Sequence, residues 1–339
     1  MTTASSGFLE KWLQERIRTA QAAHGGGTDP VGADSVMENM KKNLEDEFGA
    51  LGSWLTRPES NEVRDLCDKG KEDGGKDWQG QGLEPQYRKV LCQAILEIKY
   101  FMNGVEKKKG GGGTSAHDEK AQITELNNDR AYARCIVGML ALSEIYGDHC
   151  YLNEVIRRVE EKVSTEMEGK LKEHLKHGHT GNLDICKKVT KRDLIFGKAL
   201  LQGRIKQWTE TKRKSKDGWR IRVPWGSWPT VCKQTAQAGT SEHEAARKDN
   251  LQQNKGSLVK FTLGDSTQSS GGAPSSTMED ILVNDSYTIP ENKLTEALSS
   301  AIQNANNAVT GSTGGPISPD LTKTIMEEFE KLSQDQSGK

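Results

Sequence analysis

The sequence is poor in apolar and aromatic residues and has no long hydrophobic run. Hydrophobic side chains make up 33% of its 339 residues and aromatic ones 6%, whereas 28% are charged. Its longest apolar run without a charge, Cys135–Ser143, is far shorter than the roughly 20 residues of a membrane-spanning helix. We therefore expect no membrane span, and too little apolar mass for a compact globule that includes every residue. The small, polar residues 1–8 also lack the pattern of a cleavable signal peptide.

Sequence motifs of the common enzyme classes are missing as well. The sequence has no phosphate-binding G-x-x-x-x-G-K-[ST], no G-x-G-x-x-G after a strand and no G-x-S-x-G elbow. Gly197-Lys198-Ala199 lacks both the earlier glycine and the following hydroxyl residue. Adjacent His149 and Cys150 cannot form a catalytic dyad on a helix, where neighbouring side chains point about 100° apart. We predict that the protein is not an enzyme and has no catalytic or cofactor-binding residue.

Three histidines form the strongest candidate for a metal site. His174, His177 and His179 lie within six residues and could bind zinc or nickel. Gly178 breaks the helix between them, however, and Lys172 and Lys176 oppose a bound cation. We therefore favour a solvated helix end and predict no metal site.

Six cysteines are spread over the first 232 residues, and none of their spacings is typical of a structural zinc site. An even, dispersed set favours three disulfides, whereas the missing signal peptide favours six reduced thiols in the cytosol. Both interpretations remain open on these grounds. The candidates are Cys67, Cys92, Cys135, Cys150, Cys186 and Cys232.

The strong apolar patterns all have the helical period. They predict helices near residues 8–17, 34–55, 85–102, 120–146, 152–167 and 191–208. The helix over 120–146 is the most apolar, which places it at the centre of an all-α bundle. All seven tryptophans lie before Cys232, so we expect an ordered domain over residues 1–235. Residues 236–339, rich in Ser, Gly and acidic residues, are expected to form a long disordered C-terminal tail with weak helical segments at 292–305 and 319–332.

The basic stretch between residues 157 and 222 has two possible interpretations. Lys212–Lys216, followed by Arg220 and Arg222, could form a nucleic-acid surface with nearby tryptophans. Alternatively, the tryptophans are structural and close the end of the bundle, because large indole rings are costly to leave in water. We favour the structural role. These tryptophans are Trp208, Trp219, Trp225 and Trp228.

Several blocks, taken in order, resemble one known family. Arg134–Gly138, Ala141–Ser143 and Tyr146–Cys150 are similar to the N-terminal alpha region of the SICA (schizont-infected cell agglutination) variant antigens of malaria parasites. Further blocks fit the same pattern and extend the resemblance over about residues 1–235. These are Phe8-Leu9 with Trp12-Leu13, Leu91-Cys92 with Ile95–Phe101, Gly197–Leu201, and Gly218–Ile221 with Trp225, Trp228 and Cys232.

The resemblance implies a function at a cell surface. Such proteins are exported to the infected erythrocyte without a usual signal peptide, take part in antigenic variation and contact host cell-surface molecules or antibodies. Nucleic acid is then not an expected partner. This sequence departs from the family pattern because it has no downstream cysteine-rich repeats, membrane helix or cytoplasmic tail, so we expect a fragment or a short member.

Disulfides would let three loops vary while the helices persist. These loops are Asp68–Gly82, Gly110–Asp118 and Gly178–Asp184. As the best single pair we predict Cys150 with Cys186, because these two cysteines flank one helix and its return loop.

Overall fold

The fold consists almost entirely of helices. The computed structural model describes residues 8–23, 32–56, 61–69, 82–109, 119–123, 126–174, 185–232, 241–263, 275–283, 289–309 and residue 327. The helices are α1 (Phe8–Ala23), α2 (Ala33–Thr56), α3 (Asn61–Lys69), α4 (Leu83–Met102), α5 (Asn128–Ala141), α6 (Leu152–Arg158), α7 (Ser164–His174), α8 (Lys191–Lys214), α9 (Trp219–Val231), α10 (Ser241–Leu263), α11 (Ser275–Val283) and α12 (Glu291–Val309). The described ranges also contain two π-helical turns (Leu142–Tyr146 and Val159–Val163) and a 3₁₀ turn (Ile185–Lys188). The predicted all-α, disulfide-stapled class is confirmed.

Helix α5 lies at the centre of the bundle, as its apolar sequence predicts. It packs against α1, α2, α4 and α8, and Ile136, Val137 and Leu140 are fully buried. The Asn127 side chain accepts a hydrogen bond from the backbone of Arg130 at 3.0 Å and so fixes the start of the helix. The start is therefore eight residues later than the position that the apolar pattern suggests.

The segment before α5 forms a β-hairpin instead of helix. Strand β1 (Val105–Lys109) pairs antiparallel with β2 (Glu119–Ile123). Gly104, in the left-handed region with φ 81°, ends the preceding α4, because that backbone conformation is accessible to glycine at little cost. Residues 110–118, which carry the predicted glycine-rich loop, lie outside the described residues.

A four-membered ion-pair network anchors this hairpin to the bundle. The buried Arg134 donates from Nε to Glu47 of α2 at 2.8 Å, and from Nη2 to Glu106 of β1 at 3.1 Å. Arg130 contacts the same two carboxylates at 2.7 and 3.0 Å. Arg134 is almost completely desolvated, and these partners keep its charge compensated.

Helices α10, α11 and α12, which follow residue 240, pack on the bundle. Helix α10 contacts α6 and α11, α11 contacts α8, and α12 contacts α2. Their inward side chains are buried: Leu258, Val259, Phe261, Ile281, Leu282, Leu294 and Leu298. The segment over 292–305 is thus helical, as predicted, but it forms part of a packed layer. Within the second predicted segment, 319–332, the structure describes only Glu327, which is helical.

The packing of α10 and α11 uses buried polar groups of the earlier helices. Lys198 of α8 donates to the Ile281 carbonyl at 2.7 Å, and Ser143 donates to the Leu282 carbonyl at 3.0 Å. Lys99 of α4 donates to the Phe261 carbonyl at 2.6 Å. These donors therefore satisfy carbonyls at the C-terminal ends of the two helices, where a cation is also favoured by the helix dipole.

Among the described helices, none combines the length and the apolar composition that crossing a lipid bilayer requires.

Candidate functional site

All six candidate cysteines form disulfides in the structure. The pairs are Cys67–Cys92, Cys135–Cys186 and Cys150–Cys232, with Cα–Cα distances of 6.0, 5.3 and 5.8 Å. Each pair joins two different elements: α3 to α4, α5 to the 3₁₀ turn, and the loop before α6 to the end of α9. The disulfides therefore fasten together segments that are 25, 51 and 82 residues apart in sequence.

The predicted pair Cys150–Cys186 is wrong. Cys186 follows α7 and returns to the side of α5, where it meets Cys135 and its Sγ lies 3.8 Å from the Met102 carbonyl. Cys150 lies beside the N-terminal half of α4, with its Sγ 3.9 Å from the Tyr87 hydroxyl. Cys150 and Cys186 therefore lie near different ends of α4, and each pairs with another cysteine.

The segment Asp148–Cys150 contains no Cys/His dyad, because the Cys150 sulfur is bonded to Cys232. His149 instead contacts the Tyr87 hydroxyl through Nδ1 at 2.6 Å. Complete burial lowers the pKa of His149 to about 4, and the nearby Arg213 and Arg247 act in the same direction, against the opposing effect of Asp148. The imidazole is therefore neutral near pH 7 and serves as a hydrogen-bond partner inside the bundle.

Irregular backbone surrounds this segment on both sides. The π-helical turn Leu142–Tyr146 precedes it, and Tyr151, with φ 63°, follows it in the left-handed region. Inserted π turns occur frequently at functional sites, and a large non-glycine residue in this region stores backbone strain. Arg88 stacks over the Tyr151 ring at 4.0 Å and holds it in place.

Aromatic and basic residues near the end of α8 form a cluster with residues of α9 and α10. Arg213 stacks on the Trp225 ring at 3.6 Å, and Arg247 of α10 lies 4.9 Å from the centroid of that ring. Asp148 accepts a hydrogen bond from Arg247 at 2.5 Å and lies 3.7 Å from Arg213. The cluster thus joins α8, α9 and α10 to the turn before α6.

The other predicted structural aromatics are placed as follows. Trp228 is fully buried and donates from its indole nitrogen to the Asp148 carbonyl at 3.0 Å. Trp208 is partly buried and meets Phe48 edge-on, with a centroid distance of 5.3 Å. Trp219 opens α9, and its side chain lies outside the described part of the chain.

Part of the basic stretch is turned inward. Arg220 is completely buried, donates to the Trp54 carbonyl at 2.7 Å and pairs with the buried Glu97 at 3.4 Å. Arg213 is buried as well, whereas Lys214, Lys216 and Arg222 are exposed. These two arginines and Trp228 are therefore occupied inside the fold and do not contribute to a surface for nucleic acid.

The structure describes only part of the predicted histidine cluster. His174 ends α7, and its side chain, together with His177 and His179, falls outside the described residues. Elsewhere in the described ranges, no group of three or more His, Cys, Asp or Glu side chains is arranged to hold a metal ion.

A cleft of about 370 Å³ lies where α8, α10 and α11 meet the first π-helical turn. Its polar walls include Glu144, Asp148, Arg213 and Arg247, and Leu251 and Leu282 supply apolar surface. The sequence does not predict this cleft, because α10 and α11 belong to the segment that is predicted to be a disordered tail. The signals that point to it are the apolar residues 258–263 and 278–283, which have helical spacing.

The comparison with protein families gives a match. A family model described as the SICA extracellular alpha domain matches residues 6–208, which is more than half of the chain. No curated protein and no solved structure shows a significant match. The matched region contains α1 to α7 and most of α8, together with two of the three disulfides.

Proposed function

Since the chain belongs to the SICA extracellular alpha domain family, we propose that it is the extracellular, non-catalytic part of a variant surface antigen. In this proposal it is displayed on the infected erythrocyte, takes part in antigenic variation and contacts host cell-surface molecules or antibodies. The proposal rests on the family match over residues 6–208. The location on the erythrocyte and the role in variation and host contact go beyond the match and are proposed for this chain.

The disulfide framework supports this proposal physically. The three bonds span 25, 51 and 82 residues, and cross-links over such distances restrict the unfolded chain. A domain stabilised in this way depends less on each surface residue. Residues 70–81, 110–118 and 175–184 connect the helices and strands of the described core, so substitutions there leave every described core residue unchanged. Such a division between fixed and changeable positions suits an antigen under antibody selection.

Clonal parasite lines provide the test of antigenic variation. Antibodies raised against the oxidised full chain should stain intact, unfixed infected erythrocytes of a clone that expresses it. They should stop staining after that clone has switched to another family member. Staining that requires permeabilised cells would contradict surface display, and staining that is unchanged after switching would contradict variation.

The host contact is tested separately with the purified protein. The oxidised full chain, coupled to beads, should bind host erythrocytes or endothelial cells more than beads that carry the same protein after reduction and alkylation. Equal binding by both preparations would contradict a role for the folded domain. A salt titration with RNA and DNA checks the alternative, since nucleic-acid binding should fall steeply with increasing salt.

A further inference from the structure

Exposed basic side chains are concentrated where α8 ends and α9 begins. Residues 204–222 contain eight basic and two acidic residues, although the whole chain has a net charge of -1. Two of the eight, Arg213 and Arg220, are buried, and the others are exposed or, like Lys212, only half-buried. We call the four basic residues around the turn between the two helices the basic patch. They are Lys212, Lys214, Lys216 and Arg222.

The turn that carries the basic patch is compact. Ser215 follows α8, its backbone N–H donates to the Lys212 carbonyl at 3.2 Å, and its hydroxyl accepts from the backbone of Asp217 at 3.2 Å. A Cβ atom on Gly218 would lie 2.9 Å from the Lys212 carbonyl oxygen, so the chain folds back directly onto the end of α8. The Arg222 backbone N–H then donates to the Gly218 carbonyl at 2.6 Å. The turn therefore keeps the four charges in one region of the surface.

Buried groups next to the basic patch anchor it to the bundle. Arg213, in the last turn of α8, is turned inward and stacks on the Trp225 ring at 3.6 Å. Arg220, near the start of α9, pairs with the buried Glu97 at 3.4 Å. The disulfide Cys150–Cys232 fixes the other end of α9. Because these inward residues are fixed, their neighbours at other angles around each helix point outward, and the patch has a rigid support.

The helix dipole accounts for only part of the basic patch. Cations near the C-terminal end of a helix are stabilised by its dipole, which explains Lys212 and Lys214 in the last turn of α8. Lys216 lies beyond that helix, and Arg222 lies near the start of α9, where the dipole disfavours a cation. In the part of the chain that the structure describes, none of the four side chains forms an ion pair. A group of exposed, unpaired cations indicates an anionic partner with several charges.

The surroundings of the basic patch favour a polyanion without aromatic bases. Single-stranded nucleic acids bind to aromatic rings on which their bases stack, and no aromatic side chain is exposed among those that the structure describes. Trp225 lies under Arg213 and beside Arg247, and Trp228 is fully buried. A sulfated sugar chain needs only cations and hydrogen-bond donors for its anionic groups. It therefore matches what the patch offers.

We propose that the basic patch binds a linear sulfated polysaccharide of the host cell surface. Such a chain repeats its sulfate groups, so that several of them engage several cations of the patch at once. The proposal rests on the surface display proposed above and names the chemistry of the host contact. Except for its supporting helix, the patch lies after residue 208, where the family match ends, so it is a feature of this chain beyond the matched domain.

The first test measures binding of defined polyanions to the oxidised full chain. The probes for calorimetry are a heparin oligosaccharide, the same oligosaccharide after desulfation, and single-stranded and duplex DNA of matched charge. We expect saturable binding of the sulfated sugar, much weaker binding of the desulfated one, and an affinity that falls with increasing salt, because bound cations release the counterions of a polyanion. Absence of binding to the sulfated sugar, equal binding of the desulfated form, or tighter binding of either DNA would overturn the proposal.

Charge-reversal variants locate the binding. Lys214→Glu combined with Lys216→Glu alters the basic patch, and Lys11→Glu combined with Lys293→Glu makes the same change of net charge at exposed positions of α1 and α12. Loss of two contacts to a polyanion should weaken binding about tenfold or more near physiological salt, whereas the control should stay close to the wild type. Both double variants should keep the helical circular dichroism. Equal weakening in both would show an effect of overall charge alone and would overturn the patch.

Binding to host cells separates this proposal from the proposed function. Heparinase treatment of the cells, and the patch variant on untreated cells, should each reduce the binding of beads that carry the oxidised chain, and the control variant should not. Cell binding that survives both changes overturns the patch as the host contact and leaves the host contact itself standing. Specific binding of the sulfated sugar in solution, with no cell binding by the wild type, supports the chemistry of the patch and contradicts the host contact.

Discussion

His149 is a buried titratable residue whose protonation the fold opposes. Burial lowers its pKa from 6.5 to about 4, and its Nδ1 lies 2.6 Å from the Tyr87 hydroxyl. The unfolded chain therefore binds a proton between pH 6.5 and pH 4 that the folded chain does not bind. Because stability falls wherever the unfolded state binds more protons, this residue should destabilise the fold progressively as the pH drops from about 6.5 to about 4.

Replacing His149 with Gln should remove this pH dependence. Between pH 7 and pH 5 the wild type should lose about 2 kcal/mol of unfolding free energy through His149, whereas His149→Gln should lose none through this position. Urea unfolding of both proteins at the two pH values measures the difference. The other six histidines are common to both proteins and cancel in the comparison. An equal loss in both proteins would contradict the assignment of the proton to His149.

At the scale of residues, the sequence predicts which kinds of interaction form, but not which residues pair in them. The number and spread of the cysteines favour disulfides, but the partner of Cys150 depends on where α9 ends in space. Likewise, Arg213 and Arg220 look alike in a basic stretch. Their burial follows from the positions of Trp225, Asp148 and Glu97, which only the folded chain brings together.

At the scale of elements, the close approach of α8 to α5 depends on Gly197. A Cβ atom at this position would lie 2.1 Å from Cγ2 of Ile136, well inside any van der Waals contact. The fit therefore requires a residue without a side chain where the two central helices pack. Gly203, six residues later in the same helix, would meet no atom within 4 Å.

The pair Gly197→Ala and Gly203→Ala tests this packing. Gly197→Ala should lower the unfolding free energy by about 1–3 kcal/mol, because the added methyl forces α5 and α8 apart. Gly203→Ala should raise it by roughly 0.5–1 kcal/mol, because alanine favours the helix and has space here. Urea unfolding gives both values. A stabilising effect at both positions would show that Ile136 can move aside at little cost.

The sequence also predicts whole elements unevenly. Helices with a strong apolar period, such as α2, α4 and α8, lie close to their predicted positions. The sequence does not predict the hairpin, because strand β1, Val-Glu-Lys-Lys-Lys, has no alternating apolar pattern. The structure of β1 is instead determined by pairing with β2 and by the ion-pair network that includes Glu47 and Arg134. Helix α10 is missed because its apolar residues are concentrated near its C-terminal end, where neighbouring helices supply the partner surface.

At the scale of the whole molecule, the disulfides differ in the length of chain that they close. Cys150–Cys232 spans 82 residues and Cys67–Cys92 spans 25. In the chain-entropy description, the longer span restricts the unfolded state more. Replacing Cys150 and Cys232 together with Ala should therefore cost about 1 kcal/mol more than replacing Cys67 and Cys92 together. Urea unfolding without reductant compares the two double variants, and the reverse order would show that local packing outweighs the loop effect.

We expect the stable unit to extend beyond residue 235, because helices α10 and α11 pack on the bundle. Helices α10 and α11 bury Leu258, Phe261 and Ile281 against the bundle, and burial of each such side chain contributes roughly 1.5–3 kcal/mol. Truncation after residue 235, the predicted domain boundary, should therefore lower the melting temperature and expose surface that binds the dye ANS. Truncation after residue 310 keeps α10, α11 and α12 and serves as the control, with a melting temperature close to that of the full chain. If both truncated chains melt like the full chain and neither binds the dye, the domain ends at residue 235 and the later helices add no stability to it.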